Sequence, residues 1–290
     1  MSSKLPEDLE VRPGKAEALK RLLGRPDFEI FPSASVWEHT EDLPPRAKVA
    51  VTCSPSRGIE ATLALIEHLT NQGFAVLPHI SSRLVTDRAH LQGIINRLEG
   101  LAVFDIFVIG GDVDQPVGPF PSALSLLTAM AEVGHHFSEI GVAAYPERHP
   151  FVDDDTLWRH LHRKQAVASY MTTQMCFDAT AILRWIEEAR RRGIGLPVRV
   201  GLPGVLNRNK LLKTSMRIGV GDSARFVRKH TGLLTKLIGP GRYSPDDLVA
   251  SLAEFVDVRP YDLRGLHIYT FNEIADTERW RRAVLTSLEQ

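Results

Sequence analysis

The chain has 290 residues, 43% of them hydrophobic, enough for one large core, and its 35 Lys and Arg residues balance 35 Asp and Glu. A net charge of zero gives no whole-molecule attraction to nucleic acid or anionic lipid, and the run Arg190, Arg191, Arg192 reads as a solvated helix end. Two cysteines, Cys53 and Cys176, argue against a disulfide framework or a cysteine-built zinc site, while a charged start, "MSSKLPEDLEVRPGK", and the lack of any apolar run near ~18 residues lead to the expectation of a soluble cytoplasmic protein.

Along the chain, strand-like apolar runs alternate with helical patterns. "FEIF" at 28–31 comes first. "KVAVTC" at 48–53 precedes a helix with Ile59, Leu63, Ile66 and Leu69 on one face, and "FAVLPHI" at 74–80 precedes one carrying Leu91, Ile94, Ile95 and Leu98. "DIFVIGG" at 105–111 leads to a helix around Leu124 to Ala131, and "EIGVAAY" at 139–145 to one over roughly 153–169. "MTTQMC" at 171–176 precedes a helix that Asp178 can cap, containing Ile182, Leu183 and Ile186. "LPVRVGL" at 196–202 is the seventh run. Some sixty residues then hold helices near 207–217, 222–238 and 244–256, before "GLHIYTF" at 265–271 and a last helix through Trp280 and Val284.

Nearly continuous apolar strands suit a parallel sheet covered by helices, and eight such units predict a single-domain (β/α)₈ barrel over 1–290. A Rossmann or flavodoxin-like sheet would want a glycine-rich turn after the first strand, where "PSASVWEH" has no glycine. "GVGDS" at 219–223 follows a helix, so it reads as a C-cap next to an N-cap.

In such a barrel, chemistry gathers at the C-terminal ends of the strands. Those ends read Glu29, Thr52, His79, Asp112, Tyr145, Gln174, Gly201 and Tyr269. Glu29 is the sharpest, an acid between apolar residues whose bland alternative is a salt bridge to a neighbouring strand. Asp112 after two glycines is also good turn chemistry, and His79 after proline could be a satisfied loop histidine. His160 and His162 point apart on a helix, and no cluster has metal-ligand spacing, so no metal is expected.

These motifs together resemble the methylenetetrahydrofolate reductase family, over nearly the whole chain from "FEIFPS" onward. "VTCSPSRG", "PHIS", "GGD", "VAAYPERHP", "TTQMCFD", "LPGVLN" and "HIYTFN" resemble the later strand-end motifs of that family in order. The resemblance implies reduction of 5,10-methylenetetrahydrofolate to 5-methyltetrahydrofolate. It implies that Glu29 donates the proton that opens the imidazolidine ring, and that Asp112 sits by the pterin and the hydride-donating ring. It implies that Gln174 hydrogen-bonds the folate, with Phe177 and Tyr269 in the same binding set. Thr52, His79, Tyr145, His149 and Lys164 match residues lining the flavin site.

A proton at the leaving nitrogen makes the methylene carbon an electrophilic iminium, so a general acid is required. Enclosure by Phe28, Ile30 and Phe31 would raise the pKa of Glu29. Asp112 would accept hydrogen bonds from pterin N–H groups.

The chain departs from the family at four places. Gly110 replaces an arginine, Leu157 and His160 replace an aspartate and an asparagine ahead of Arg163 and Lys164, and Glu273 stands where an arginine follows the eighth-strand Asn. These losses point to a branch that takes hydride from NADH (or NADPH) directly, with FAD binding weakened rather than excluded, because Arg163 and Lys164 remain. Gly110 and Gly111 would clear room for the stacked rings. The alternatives are the ordinary FAD enzyme, a folate-binding paralogue without activity and, more distantly, methyl transfer to a corrinoid. Oligomeric state stays open.

Overall fold

In the computed structural model, which describes residues 13–38, 40–53, 55–149, 151–207 and 242–289, eight parallel strands close into a barrel. The strands in chain order are β1 (Asp27–Ile30), β2 (Lys48–Val51), β3 (Ala75–Ser81), β4 (Asp105–Ile109), β5 (Glu139–Ala144), β6 (Tyr170–Thr173), β7 (Val198–Pro203), a short antiparallel pair β8 (Leu206–Asn207) and β9 (Arg242–Tyr243), and β10 (Leu263–Tyr269). The wall runs β1-β10-β7-β6-β5-β4-β3-β2, so the first and last barrel strands are neighbours and Glu29 lies in register with Tyr269. All eight expected barrel strands are present.

Alternation decides what faces where. In β1, Phe28 and Ile30 are buried among the helices outside the wall, whereas Asp27 and Glu29 point into the barrel. Ala50, Leu77, Phe107 and Tyr170 form a separate apolar cluster inside the barrel. Phe31 lies beyond β1 and is 40% exposed. Phe28 and Ile30 therefore do not enclose Glu29, because a strand sends alternate residues to opposite faces, and Phe31 does not because it lies past the strand end in solvent.

The covering helices are α1 (Pro13–Gly24), α2 (Ala34–Glu38), α3 (Gly58–Asn71), α4 (Arg88–Gly100), α5 (Ala123–Val133), α6 (Asp154–Lys164), α7 (Ala179–Arg191), α8 (Asp246–Ala253) and α9 (Ile274–Ser287). Their starts follow capping chemistry. Asp87, Ser122, Asp153 and Asp178 accept from the backbone N–H groups of His90, Ser125, Thr156 and Thr180. The expected apolar faces of α3, α4 and α7 are buried.

Three features differ from expectation. α1 precedes the first strand, burying Ala18, Leu19, Leu22 and Leu23 against β10, α8 and α9. α6 stops at Lys164 and not near 169, with the chain turning through Ala166 and Val167 into β6. The β8–β9 pair is added after β7. The helix expected near 244–256 is α8, and those near 207–217 and 222–238 lie outside the described residues except for Asn207 in β8. No described helix is long and apolar enough to cross a membrane.

Candidate active site

Inside the barrel, charged and aromatic groups stack from its floor to its mouth. Near the floor, Asp27 is fully buried, and Arg199 Nη1 donates to both its carboxylate oxygens at 2.6 and 2.7 Å. Lys48 Nζ lies 3.6 Å from Asp27 and donates to Asp105 at 2.5 Å. The Tyr170 hydroxyl donates to Asp105 at 2.9 Å. Burial alone would raise the Asp27 pKa, but His267, Lys48 and Arg199 prevail and hold it at about 2.

One layer up, His267 Nε2 lies 2.9 Å from Glu29 Oε2, and its Nδ1 is 3.6 Å from Asp27. Burial would strip the proton from this imidazole; the two carboxylates reverse that and push its pKa up to about 9. Nε2 therefore donates, from an imidazolium. His79 stacks on His267 with ring centroids 5.7 Å apart, and its Nε2, buried without a hydrogen-bond partner, is 3.9 Å from the same Glu29 oxygen. Burial, with the His267 charge beside it, holds His79 well below its ordinary pKa and so neutral.

Glu29 keeps a 16% exposed side chain and thus reaches the mouth. Its backbone is pinned by Thr270, whose hydroxyl donates to Glu29 O at 2.5 Å. Asn272 ties the next turn, accepting from Phe31 N–H at 3.0 Å and donating to Phe31 O at 3.1 Å. The salt bridge to a neighbouring strand, the bland reading of Glu29, is thus formed, and it joins the acid to a proton donor.

Tyr269 carries the group across to β6. Its ring meets His267 edge-on at 5.1 Å, and its hydroxyl donates to Thr173 O and to Gln174 Oε1, both at 3.2 Å. Met175 N–H also donates to Gln174 Oε1 at 3.2 Å, which leaves the Gln174 amide N–H₂ for a ligand. Gly201 makes room for this arrangement: a Cβ there would lie 2.1 Å from Thr173 O and 2.8 Å from the Tyr269 ring.

A second group lies beyond β4 and β5. Asp112 is exposed at the mouth, and its charge acts on Tyr145 and His149. Burial, then Asp112, pushes Tyr145 up to about 12; burial lowers His149, with Arg83 adding to the fall and Asp112 opposing it. The Tyr145 and His149 rings meet edge-on at 5.0 Å. Arg83, not singled out in the sequence, clamps the loop after β4 by donating to Val113 O at 3.0 Å and Pro121 O at 2.9 Å.

The two glycines before Asp112 do different jobs. A Cβ on Gly110 would meet nothing within 4 Å, so room is indeed open there. Gly111 has φ +91°, and a Cβ would strike Ser81 Oγ at 1.8 Å, so it packs the loop against β3 and clears no space for a ligand.

The remaining expected residues are less central. Thr52 follows β2, its N–H bonded to Ile30 O at 2.9 Å. Phe177 is buried with its ring against Tyr243, covered by the β8–β9 pair. Lys164 is buried at the end of α6, where burial lowers its pKa to about 8. It makes no ion pair with a described carboxylate. His267, Asp27 and Arg199 were missed, although each lies two residues before a strand-end position already noted, on the same inward face.

Sequence spacing showed no metal cluster, yet the fold brings ligand atoms of Glu29, His79 and His267 within 4.8 Å of one another. A cation there would have to displace the proton held between His267 and Glu29. Three carboxylates (Asp27, Glu29, Asp105) already face three cations (Lys48, Arg199, His267), so the cluster reads as a proton site.

A family model described as methylenetetrahydrofolate reductase matches residues 46–220, a range that includes the second group and Gln174 but neither Glu29 nor His267. A 5,10-methylenetetrahydrofolate reductase from Pectobacterium carotovorum subsp. carotovorum is 28% identical over 213 residues, covering 68% of this chain and 70% of that protein. Methylenetetrahydrofolate reductase 1 of Schizosaccharomyces pombe is 36% identical over 90 residues, 30% of this chain and 15% of that protein. Among solved structures, a plant class V chitinase from Cycas revoluta is similar at 10% identity and a TM-score of 0.49, covering 91% of this chain and 99% of that one.

Proposed function

The chain belongs to the methylenetetrahydrofolate reductase family, and from that premise we propose that it reduces 5,10-methylenetetrahydrofolate to 5-methyltetrahydrofolate with hydride taken directly from NADH. The observation that carries the reading is Glu29, a carboxyl reaching the barrel mouth with an imidazolium bonded to it at 2.9 Å. Opening the imidazolidine ring breaks a C–N bond, and a proton must arrive at the nitrogen as the electron pair settles there. Glu29 supplies that proton. The iminium left behind accepts hydride at its carbon, which completes the reduction with one proton and one hydride consumed. Gln174 and Asp112 bind the pterin from two sides of the mouth, the first through its free amide N–H₂, the second as an acceptor for ligand N–H groups.

The described residues offer FAD fewer phosphate partners than the family pattern calls for. A buried pyrophosphate wants cations, backbone N–H groups or a helix N-terminus. Open space surrounds Gly110 where the family carries an arginine, and Glu273 offers a carboxylate in place of another. Leu157 and His160 stand in place of two polar partners. The observation favouring the flavin-dependent alternative is Lys164, a buried cation without a described carboxylate partner. NADH also carries a pyrophosphate, so that lysine suits either molecule.

The deciding experiment assays NADH oxidation by protein shown spectroscopically to be free of flavin, with methylenetetrahydrofolate as acceptor, and then adds FAD. Activity before FAD, with intersecting double-reciprocal lines, is expected because both substrates must share the barrel mouth. Activity only after FAD, or parallel lines, restores the flavoenzyme; none in either condition overturns the reductase reading.

A further inference from the structure

We propose that His267 is the proton store of Glu29: the hydrogen that opens the folate ring rests on His267 Nε2 and reaches the substrate through the Glu29 carboxyl. The proposal rests on the reading of Glu29 as the general acid and adds where its proton comes from.

The geometry begins at the floor of the barrel. Arg199 and Lys48 fix Asp27, and Asp27 faces His267 Nδ1 at 3.6 Å. His267 Nε2 is thereby aimed at Glu29 Oε2, 2.9 Å away. The groups facing His267 are Asp27 and Glu29 from β1, His79 from β3, Phe107 from β4 and Tyr269 from its own strand. Of these, only the two carboxylates carry charge near neutral pH, because His79 is held neutral and burial keeps Tyr269 protonated. The proton therefore has one stable home in the cluster, and it lies in contact with the acid.

The transfer balances simply. The His267 Nε2–H bond breaks as a Glu29 O–H bond forms, and rotation of the carboxyl about Cγ–Cδ turns that hydrogen toward the mouth. The Glu29 O–H then breaks as the hydrogen bonds to the leaving nitrogen, and Glu29 returns to a carboxylate beside a neutral imidazole. At that point the barrel holds three buried or half-buried carboxylates against two cations. The uncompensated negative charge draws a proton back from solvent after product leaves. His267 acts through Glu29 and is a positioning residue, not one that touches substrate.

Two measurements test this. In His267→Gln the side chain still donates to Glu29 but cannot give up a proton. The rate at pH 8 should fall on the order of 10²-fold, with the KM for folate within about threefold. The alkaline limb of the pH profile, expected in the wild type where His267, pushed up to about 9, loses its proton, should move at least one unit lower. A folded His267→Gln enzyme with the wild-type limb overturns the proposal. Nitrogen NMR of histidine-labelled wild type needs neither turnover nor that variant. One of the eleven histidines should remain an imidazolium at pH 8 and should lose its proton at lower pH in Glu29→Gln. No imidazolium at pH 8, or one insensitive to Glu29→Gln, overturns it as well. The NMR outcome is independent of whether the protein reduces methylenetetrahydrofolate, so a failed assay counts against the function and a failed titration against the store.

Discussion

Glu29 bonds His267, whose ring meets Tyr269 edge-on, and the Tyr269 hydroxyl bonds Gln174, while Asp112 stands on the opposite side of the mouth beside Tyr145 and His149. Their substitutions should separate chemistry from binding. Glu29→Gln keeps shape and the contact to His267 Nε2 but has no carboxylic proton. Turnover should fall 10²–10⁴-fold while tetrahydrofolate titrations stay near the wild-type affinity. Near-normal turnover would show that water or another group protonates the nitrogen. Asp112→Ala and Gln174→Ala should instead weaken tetrahydrofolate binding by roughly 1–3 kcal/mol each, because each leaves ligand polar groups unpaired. Unchanged dissociation constants in both variants would place the pterin elsewhere. The strand-end acids and amides were legible in the sequence because polar residues in apolar runs stand out. Their partners were not, since Asp27 and Arg199 meet across 172 residues of chain and His267 and Glu29 across 238.

The barrel strands were legible for a simple reason: strands buried on both faces need unbroken apolar runs. What escaped notice were elements whose role comes from others. α1 is amphipathic, but nothing in its own sequence says that β10, α8 and α9 receive it. The β8–β9 strands are two residues each and lack a pattern. Within the wall, Gly201 on β7 links strand packing to the site, because its missing side chain is what lets the Tyr269 ring and the Thr173 carbonyl close on β7. Gly201→Ala should therefore cost about 1–3 kcal/mol of stability through overpacking. It should also weaken folate binding by displacing the Tyr269 hydroxyl from Gln174. Urea unfolding and a tetrahydrofolate titration on the same preparation check both parts. A variant as stable as the wild type would mean that β6 and β7 separate at no cost.

At the scale of the molecule, the barrel encloses a charge-balanced core, and that balance should appear in stability as a function of pH. Asp27, held at about 2, contributes stability that is present above its ordinary pKa near 4 and is lost as pH falls through about 2. His267, raised to about 9 from 6.5, contributes stability that is complete below 6.5 and is lost as pH rises through about 9. The lowered histidines His79, His135, His149 and His160 act in the opposite sense, since unfolding lets them take up protons as pH falls through about 6.5. Lys164 opposes His267 too as pH rises through about 8, where the folded lysine sheds a proton that the unfolded chain retains. Between pH 6.5 and 8 these contributions overlap, so the share of His267 is read from the difference between the wild type and His267→Gln, in which the other groups cancel. Across that range His267 binds up to one proton more in the folded state than in the unfolded one, so the wild type should lose up to about 1.4 kcal/mol per pH unit relative to the variant. For a chain of this size that is a drop in melting temperature of a few degrees. Thermal unfolding at half-unit steps should give the wild type a more steeply falling stability than His267→Gln, where nothing titrates at that position. Equal slopes in the two proteins would mean that His267 is not held protonated by Asp27 and Glu29, and that some other group sets the alkaline stability of the barrel.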